Sequence, residues 1–179
     1  MTISLETRQQ VRQRANFACE FCGIAEVDAG DQLTVDHFRP LTKGGNDELE
    51  NLIYCYPRCN QYKLDYWAET PNQTPLWNPR AELFSKHFLL LENGTLHPLT
   101  PIGVFTLNRL RLNRPALVAN RVRRQQTEDE TRLLSRYRDL TRMIEQVIEQ
   151  QSALIEEQQI LLKEQQELLR LLIDSRRRE

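Results

Sequence analysis

The chain has 179 residues, 40% hydrophobic and 27% charged, with a formal net charge of −1, enough for one ordinary domain or a small domain with an appendage. No stretch approaches the roughly 18 uninterrupted apolar residues of a membrane span, and the opening MTISLETRQQVRQR has no apolar run of the secretory kind. A soluble cytoplasmic protein with no membrane partner is expected.

The near-neutral total hides a split. Residues 128–179 carry nine basic and twelve acidic side chains, leaving fifteen and thirteen for residues 1–127. Neither balance declares a polyanion partner, so a nucleic-acid reading must rest on a site, with local basic clusters as support.

In chain order, residues 4–15 are predicted helical, with Ser4 as N-cap and Val11 and Ala15 on one face. The turn Cys19-Glu-Phe-Cys22-Gly23 follows, and residues 24–31 read as a polar loop. Leu33 to His37 is predicted as a short strand with Leu33, Val35 and His37 on one face. Residues 39–46 are dense in turn formers, Leu52 to Tyr54 reads as a second strand, and residues 58–67 as a helix carrying Asn60 and Lys63 on adjacent turns. Pro71, Pro75 and Pro79 make residues 68–82 an irregular connection. Phe88 to Leu91, Asn93-Gly94 and Leu96 read as a hairpin with a type I′ turn. A short helix is expected over 101–112. A long one follows from about 114 to 176, with Asn113 as its cap and Pro115 in its first turn.

Within that last stretch Leu133, Leu140, Val147, Leu154, Leu161 and Leu168 recur every seven residues, the period of a left-handed coiled coil. Gln151, Gln158 and Gln165 make the second seam polar in its middle, while Ile148, Ile155, Leu162 and Leu169 widen the apolar stripe. A homo-oligomer is expected through a coiled coil from about residue 130, a parallel dimer foremost; a helix lying back on the globular part is the alternative.

The four cysteines, Cys19, Cys22, Cys55 and Cys59, form two close pairs about thirty residues apart. Without a secretory signal this spacing points to metal ligands more than to disulfides. The intervening elements are C-E-F-C, V-D-H-F-R-P, K-G-G-N-D, E-N-L and C-N-Q-Y-K. Together they resemble the HNH endonuclease family, in the variant with a cysteine pair on each side of the active hairpin. Residues 76–124, with W-N-P-R, a G-x-L hairpin and L-N-R-P, resemble with less specificity an extension that follows such motifs.

The resemblance implies an α+β architecture. A small zinc-clamped ββα-metal domain over residues 1–67 is followed by a hairpin-and-helix extension over 68–113 and the long helix over 114–179. It also implies metal-dependent hydrolysis of DNA phosphodiester bonds. His37 is the expected general base. Asp36 and Asn60 are the expected oxygen ligands of Mg²⁺ or another divalent ion such as Mn²⁺, and Asn51 steadies the loop across the hairpin. Asn60 stands where many relatives carry a final His. Asp36 and His37 point to opposite faces of a strand, so a twist or bulge is expected there. Lys63, Arg109, Arg111 and Arg114 are the expected phosphate contacts; the duller reading of the arginines is a solvated helix face. The structural Zn²⁺ calls for Cys19, Cys22, Cys55 and Cys59. Here the sequence departs from the family, which places a cysteine at position 56, occupied by Tyr56. Cys55 lies one residue early and reaches the metal only through a bulge at the strand end; otherwise three thiolates and a water remain. The alternative functions are a zinc-containing DNA-binding module without catalysis and a coiled-coil adaptor.

Overall fold

The computed structural model describes residues 3–177. The chain divides into two units, Met1–Gln126 and Thr127–Glu179.

The first unit opens with α1 (Leu5–Arg14), capped by the Ser4 hydroxyl, which accepts from the Thr7 amide. Asn16 and Phe17 end it in the left-handed region and turn the chain into the first cysteine knuckle. There an isolated bridge between Ala18 and Ala25 closes the loop, and Gly23, at φ +75°, donates to the Cys19 carbonyl over 2.8 Å. The expected polar loop contains a single-turn helix, α2 (Glu26–Ala29), closed by left-handed Gly30. The reason lies outside local propensity: Glu26 receives both arms of Arg12 at 2.7 Å and the Tyr54 hydroxyl, and that long-range grip orders the turn.

Strands β1 (Thr34–His37) and β2 (Leu52–Cys55) pair antiparallel, Asp36 opposite Ile53 and His37 opposite Leu52. Helix α3 (Pro57–Lys63) follows with proline in its first turn. It is shorter than predicted because Leu64 takes φ +54°. All four β2 residues are buried, and Phe21, Leu33, Leu52, Ile53 and Tyr54 form the core beneath α1's one buried residue, Val11.

Next come α4 (Phe84–His87), β3 (Phe88–Leu90), β4 (Leu96–Pro98) and α5 (Pro101–Arg109). Trp77 of W-N-P-R joins this extension to the knuckle. It is 3% exposed, and its ring meets Phe21, Phe84 and Phe88 edge-on at 5.4–6.4 Å, each such pair adding about 0.5–1.5 kcal/mol beyond area burial. Its amide donates to Thr106 of α5 over 2.8 Å. The hairpin turn differs from the type I′ expectation. Only Gly94 has positive φ, Gly94 donates to the Leu91 carbonyl and Leu91 to that of Thr95. This is the longer loop in which a left-handed glycine follows a type I turn.

His87, which has no role in the sequence reading, is buried between Thr100 Oγ1 at 2.6 Å and Glu82 Oε2 at 3.0 Å and fastens the start of α5. Asn113 does not cap the last helix. Its side chain instead exchanges two hydrogen bonds with the backbone of Leu96, at 2.8 and 2.9 Å. That helix, α6, spans Pro115–Arg176.

The second unit is helical from Thr127, and Leu133, Leu140, Val147, Leu154, Leu161 and Leu168 are exposed on it. Two positions of the predicted third segment, Arg178 and Glu179, lie outside the described residues. Among the described residues no helix is long and apolar enough to cross a membrane.

Candidate active site and metal clamp

His37 ends β1, and a loop of ten residues brings Asp47 back to it, Nε2 to Oδ1 at 2.7 Å. The loop closes because its glycines let it pass under itself. A Cβ on Gly45 would lie 2.0 Å from the Arg39 carbonyl oxygen, and Gly44 sits at φ +81°. Asn51 then locks it: its Oδ1 accepts from the Arg39 amide at 2.8 Å, and its Nδ2 donates to the carbonyls of Arg39 and Asn46 at 3.0 and 2.8 Å. The expectation that Nδ1 of His37 would meet a backbone carbonyl gives way to a carboxylate at Nε2. Asp47 was within the K-G-G-N-D element but had been given no role, since nothing in the spacing says which loop residue turns inward.

No bulge interrupts β1, so Asp36 and His37 take partners on different sides. Asp36 Oδ2 is 2.9 Å from Lys63 Nζ, off the direction of a hydrogen bond, and is otherwise a buried acceptor without a donor. Lys63 Nζ also donates to the His37 carbonyl over 2.7 Å. Lys63 is fully buried, which corrects its assignment as a phosphate contact: an ammonium enclosed beneath the strand holds the strand's end and faces no ligand. Asn60, half-buried, lies one turn before Lys63 on α3, so the same pairing brings its turn against β1.

The clamp is built by the knuckle and by α3. The sulfurs of Cys19, Cys22 and Cys59 lie within 4.8 Å of one another. This fits thiolates at the corners of a tetrahedral zinc site with Zn–S bonds of about 2.3 Å. Cys55 stands outside that trio, with its Sγ donating to the Tyr56 carbonyl oxygen at 3.5 Å. Burial opposes ionisation of Cys19, but thiol donors from Cys22, Cys55 and Cys59 pull it well below the usual thiol range. Their bonds to Cys19 push the other three up, Cys59 to about 12. Glu20, inside the knuckle, ties it to β2 by accepting from the Tyr54 amide at 2.7 Å and pairs with Arg80 at 2.8 Å.

The three arginines expected on phosphate take different places. Each guanidinium covers a tyrosine ring: Arg109 on Tyr66 at 4.8 Å, Arg111 on Tyr62 at 4.9 Å, Arg114 on Tyr56 and Tyr62 at 5.5 and 5.7 Å. Arg111 is exposed. Arg109 donates to the Lys63 carbonyl at 3.2 Å, and Arg114 turns to the clamp, 3.5 Å from Cys59 Sγ.

The family model described as HNH endonuclease matches residues 19–65. The chain therefore carries an HNH endonuclease domain over that span, in the cysteine-flanked form. No curated protein and no solved structure matches the chain.

Proposed function

We propose that the HNH domain hydrolyses DNA phosphodiester bonds, with His37 as general base. The observation that carries this reading is the locked loop. His37 Nε2 lies 2.7 Å from Asp47 Oδ1; in the tautomer that donates from Nε2 to that oxygen, Nδ1 is the nitrogen that takes a proton from water. Asn51 holds the backbone on both sides of that pair. Lys63 keeps the Asp36 carboxylate at the strand end, where Asp36 and Asn60 offer the hard oxygen donors that suit a divalent ion such as Mg²⁺ or Mn²⁺. When bound, that ion neutralises charge on the phosphoryl and departing 3′ oxygens. Arg111, exposed on its tyrosine, serves phosphate contact and gives affinity without choice of sequence.

Plasmid nicking with and without Mg²⁺, beside His37→Ala, tests the reading. Wild type should nick only with the ion. The variant should lose about 10²–10⁴-fold in rate and keep its DNA affinity. Equal cleavage by both proteins sinks the assignment of His37. DNA binding without cleavage by wild type makes the domain a binding module.

The tail supplies the second part of the reading: its seven-residue series pairs with a second copy as a parallel coiled coil. Support comes from the exposed apolar stripe and from Gln151, Gln158 and Gln165, which can bond across a parallel seam and fix register. Two HNH domains held together can cut both strands. Light scattering of the full chain at tens of micromolar decides it, since a monomer mass removes the coiled coil. Deleting residues 128–179 should give a monomer that still nicks DNA but binds it more weakly.

A further inference from the structure

Two guanidinium groups beside the cysteine clamp have no carboxylate partner among the described residues. Arg121 is 7% exposed. Its donors go to the carbonyls of Gly94 and Leu112, at 3.2 and 2.8 Å, and to Asn113 Oδ1 at 3.5 Å. Arg114, half-buried, donates to the carbonyls of Leu110 and Arg111, at 3.1 and 3.3 Å, and to Cys59 Sγ at 3.5 Å. Neutral acceptors satisfy the hydrogen bonds but not the charge, and a buried ion without a counter-charge is costly. The clamp comes within hydrogen-bond reach at Arg114, whose Cys59 partner is one of the three clustered sulfurs.

We propose that Arg114 is the outer shell of the metal clamp: its fork hydrogen-bonds the Cys59 thiolate of a zinc ion held by Cys19, Cys22, Cys55 and Cys59, and Arg121, buried without a carboxylate partner, adds positive charge. Four thiolates on Zn²⁺ carry a net charge of −2, and three carry −1. Guanidinium groups favour the more negative four-thiolate site, in which Cys55, outside the clustered trio, is the fourth ligand. Tyr56 then has a function where the family has cysteine, because its ring holds Arg114 flat against the knuckle. Arg124, donating to the Gly23 carbonyl at 3.0 Å, adds a third tie from the start of α6 to the same loop. Metal-bound thiolates accept such N–H bonds with loss of reactivity, and outer-shell partners commonly set metal affinity by about 10–100-fold. The proposal rests on the clamp and is independent of hydrolysis.

The test is zinc retention by the full chain against a chromogenic chelator, for wild type, Arg114→Met and Arg111→Met. Arg111 covers the same Tyr62 ring but touches no sulfur. Arg114→Met should bind one zinc per chain at least tenfold more weakly, and Arg111→Met should match wild type. With Co²⁺ as probe, wild type should show the charge-transfer intensity of four thiolates. Unchanged affinity in Arg114→Met overturns the shell, and a three-thiolate cobalt spectrum of wild type overturns Cys55 as the fourth ligand. A wild-type chain that takes up no zinc removes the clamp itself. Should Arg114→Met fail to fold, ¹¹³Cd-loaded wild type decides by NMR: scalar coupling between the metal and an Arg114 side-chain N–H through Cys59 supports the bond, and its absence overturns it.

Discussion

In residues 1–126 the positions that fix the architecture are few, scattered and chemically specific. Asn51 reaches Arg39 and Asn46, Lys63 reaches Asp36 and His37, Asn113 reaches Leu96, and Arg12 reaches Glu26. In residues 127–177 the positions that matter are many and alike, an exposed leucine-rich stripe repeating every seven residues. The first region stores its fold in long-range polar bonds and a cysteine cluster that could hold a metal, so one substitution can undo it. The second stores its fold in helix period, so single changes shift it by degrees. The regions should therefore fail separately and by different causes.

Metal removal is the largest expected effect. Zinc binding contributes on the order of 10–16 kcal/mol in small thiolate sites, comparable to or above the 5–15 kcal/mol net stability of a typical domain. Stripping zinc, or Cys19→Ser, should abolish the near-ultraviolet dichroism of Trp67 and Trp77. The helical far-ultraviolet signal of residues 127–177 should largely persist. A front unit that keeps its near-ultraviolet signature without metal breaks the comparison.

Asn51→Ala comes next. It removes three bonds to loop backbone, and groups left unpaired cost about 1–3 kcal/mol each when buried; half-burial brings the expected total to about 2–3 kcal/mol by calorimetry. The cleavage rate should fall further than stability explains, because the Asp47–His37 pair rides on that loop. A rate that follows folded fraction alone would make Asn51 merely structural.

The same contrast decides what was legible in the sequence. Asn51 was expected across the hairpin from the family resemblance, and its side chain bonds the backbone of Arg39 and Asn46. The strands, the knuckle cysteines and the long helix were equally readable, because alternation, close cysteine pairs and the absence of breakers act locally. Asp47, Glu20, His87 and Arg114 were not. Each acts on a partner between five and sixty residues away, and nothing in the local pattern separates such a residue from a solvated neighbour. Lys63 was misread for that reason: an ammonium in a nuclease motif invites a phosphate, whereas its burial is a property of packing. Helix α2 and the hairpin turn were missed because Glu26's partners and Gly94's lone left-handed φ are decided in three dimensions.

In the tail, Leu140→Ser with Leu154→Ser should weaken self-association at least 100-fold. Each leucine buries about 1.5–3 kcal/mol in a coiled-coil seam, and every chain loses two. The melting transition of the front unit should not move. Gln151→Leu should act in the opposite sense, tightening association while loosening register, seen as a mixture of oligomer masses. If either tail variant lowers the melting temperature of the front unit, the two regions are coupled and the contrast has to be redrawn.

The smallest effect belongs to Glu26→Gln, and its pH dependence sharpens the comparison where the front unit depends on charge. Glu26 is held below the usual carboxyl range chiefly by hydrogen bonds from Arg12, with burial opposing and the Tyr54 hydroxyl assisting. A carboxyl with a depressed folded pKa stabilises the fold fully above its unfolded value, about 4.3, and that contribution is lost as pH falls through the folded value. Glutamine cannot carry the charge at any pH. The variant should therefore melt slightly below wild type at pH 7, and the two curves should converge as pH drops below about 4. The pair sits at the single turn of α2, so the loss should appear first as faster amide exchange at residues 26–30 and only then in the global transition. A gap that stays constant from pH 7 to pH 3 would mean that Glu26 contributes shape and hydrogen bonding, and that its charge orders nothing.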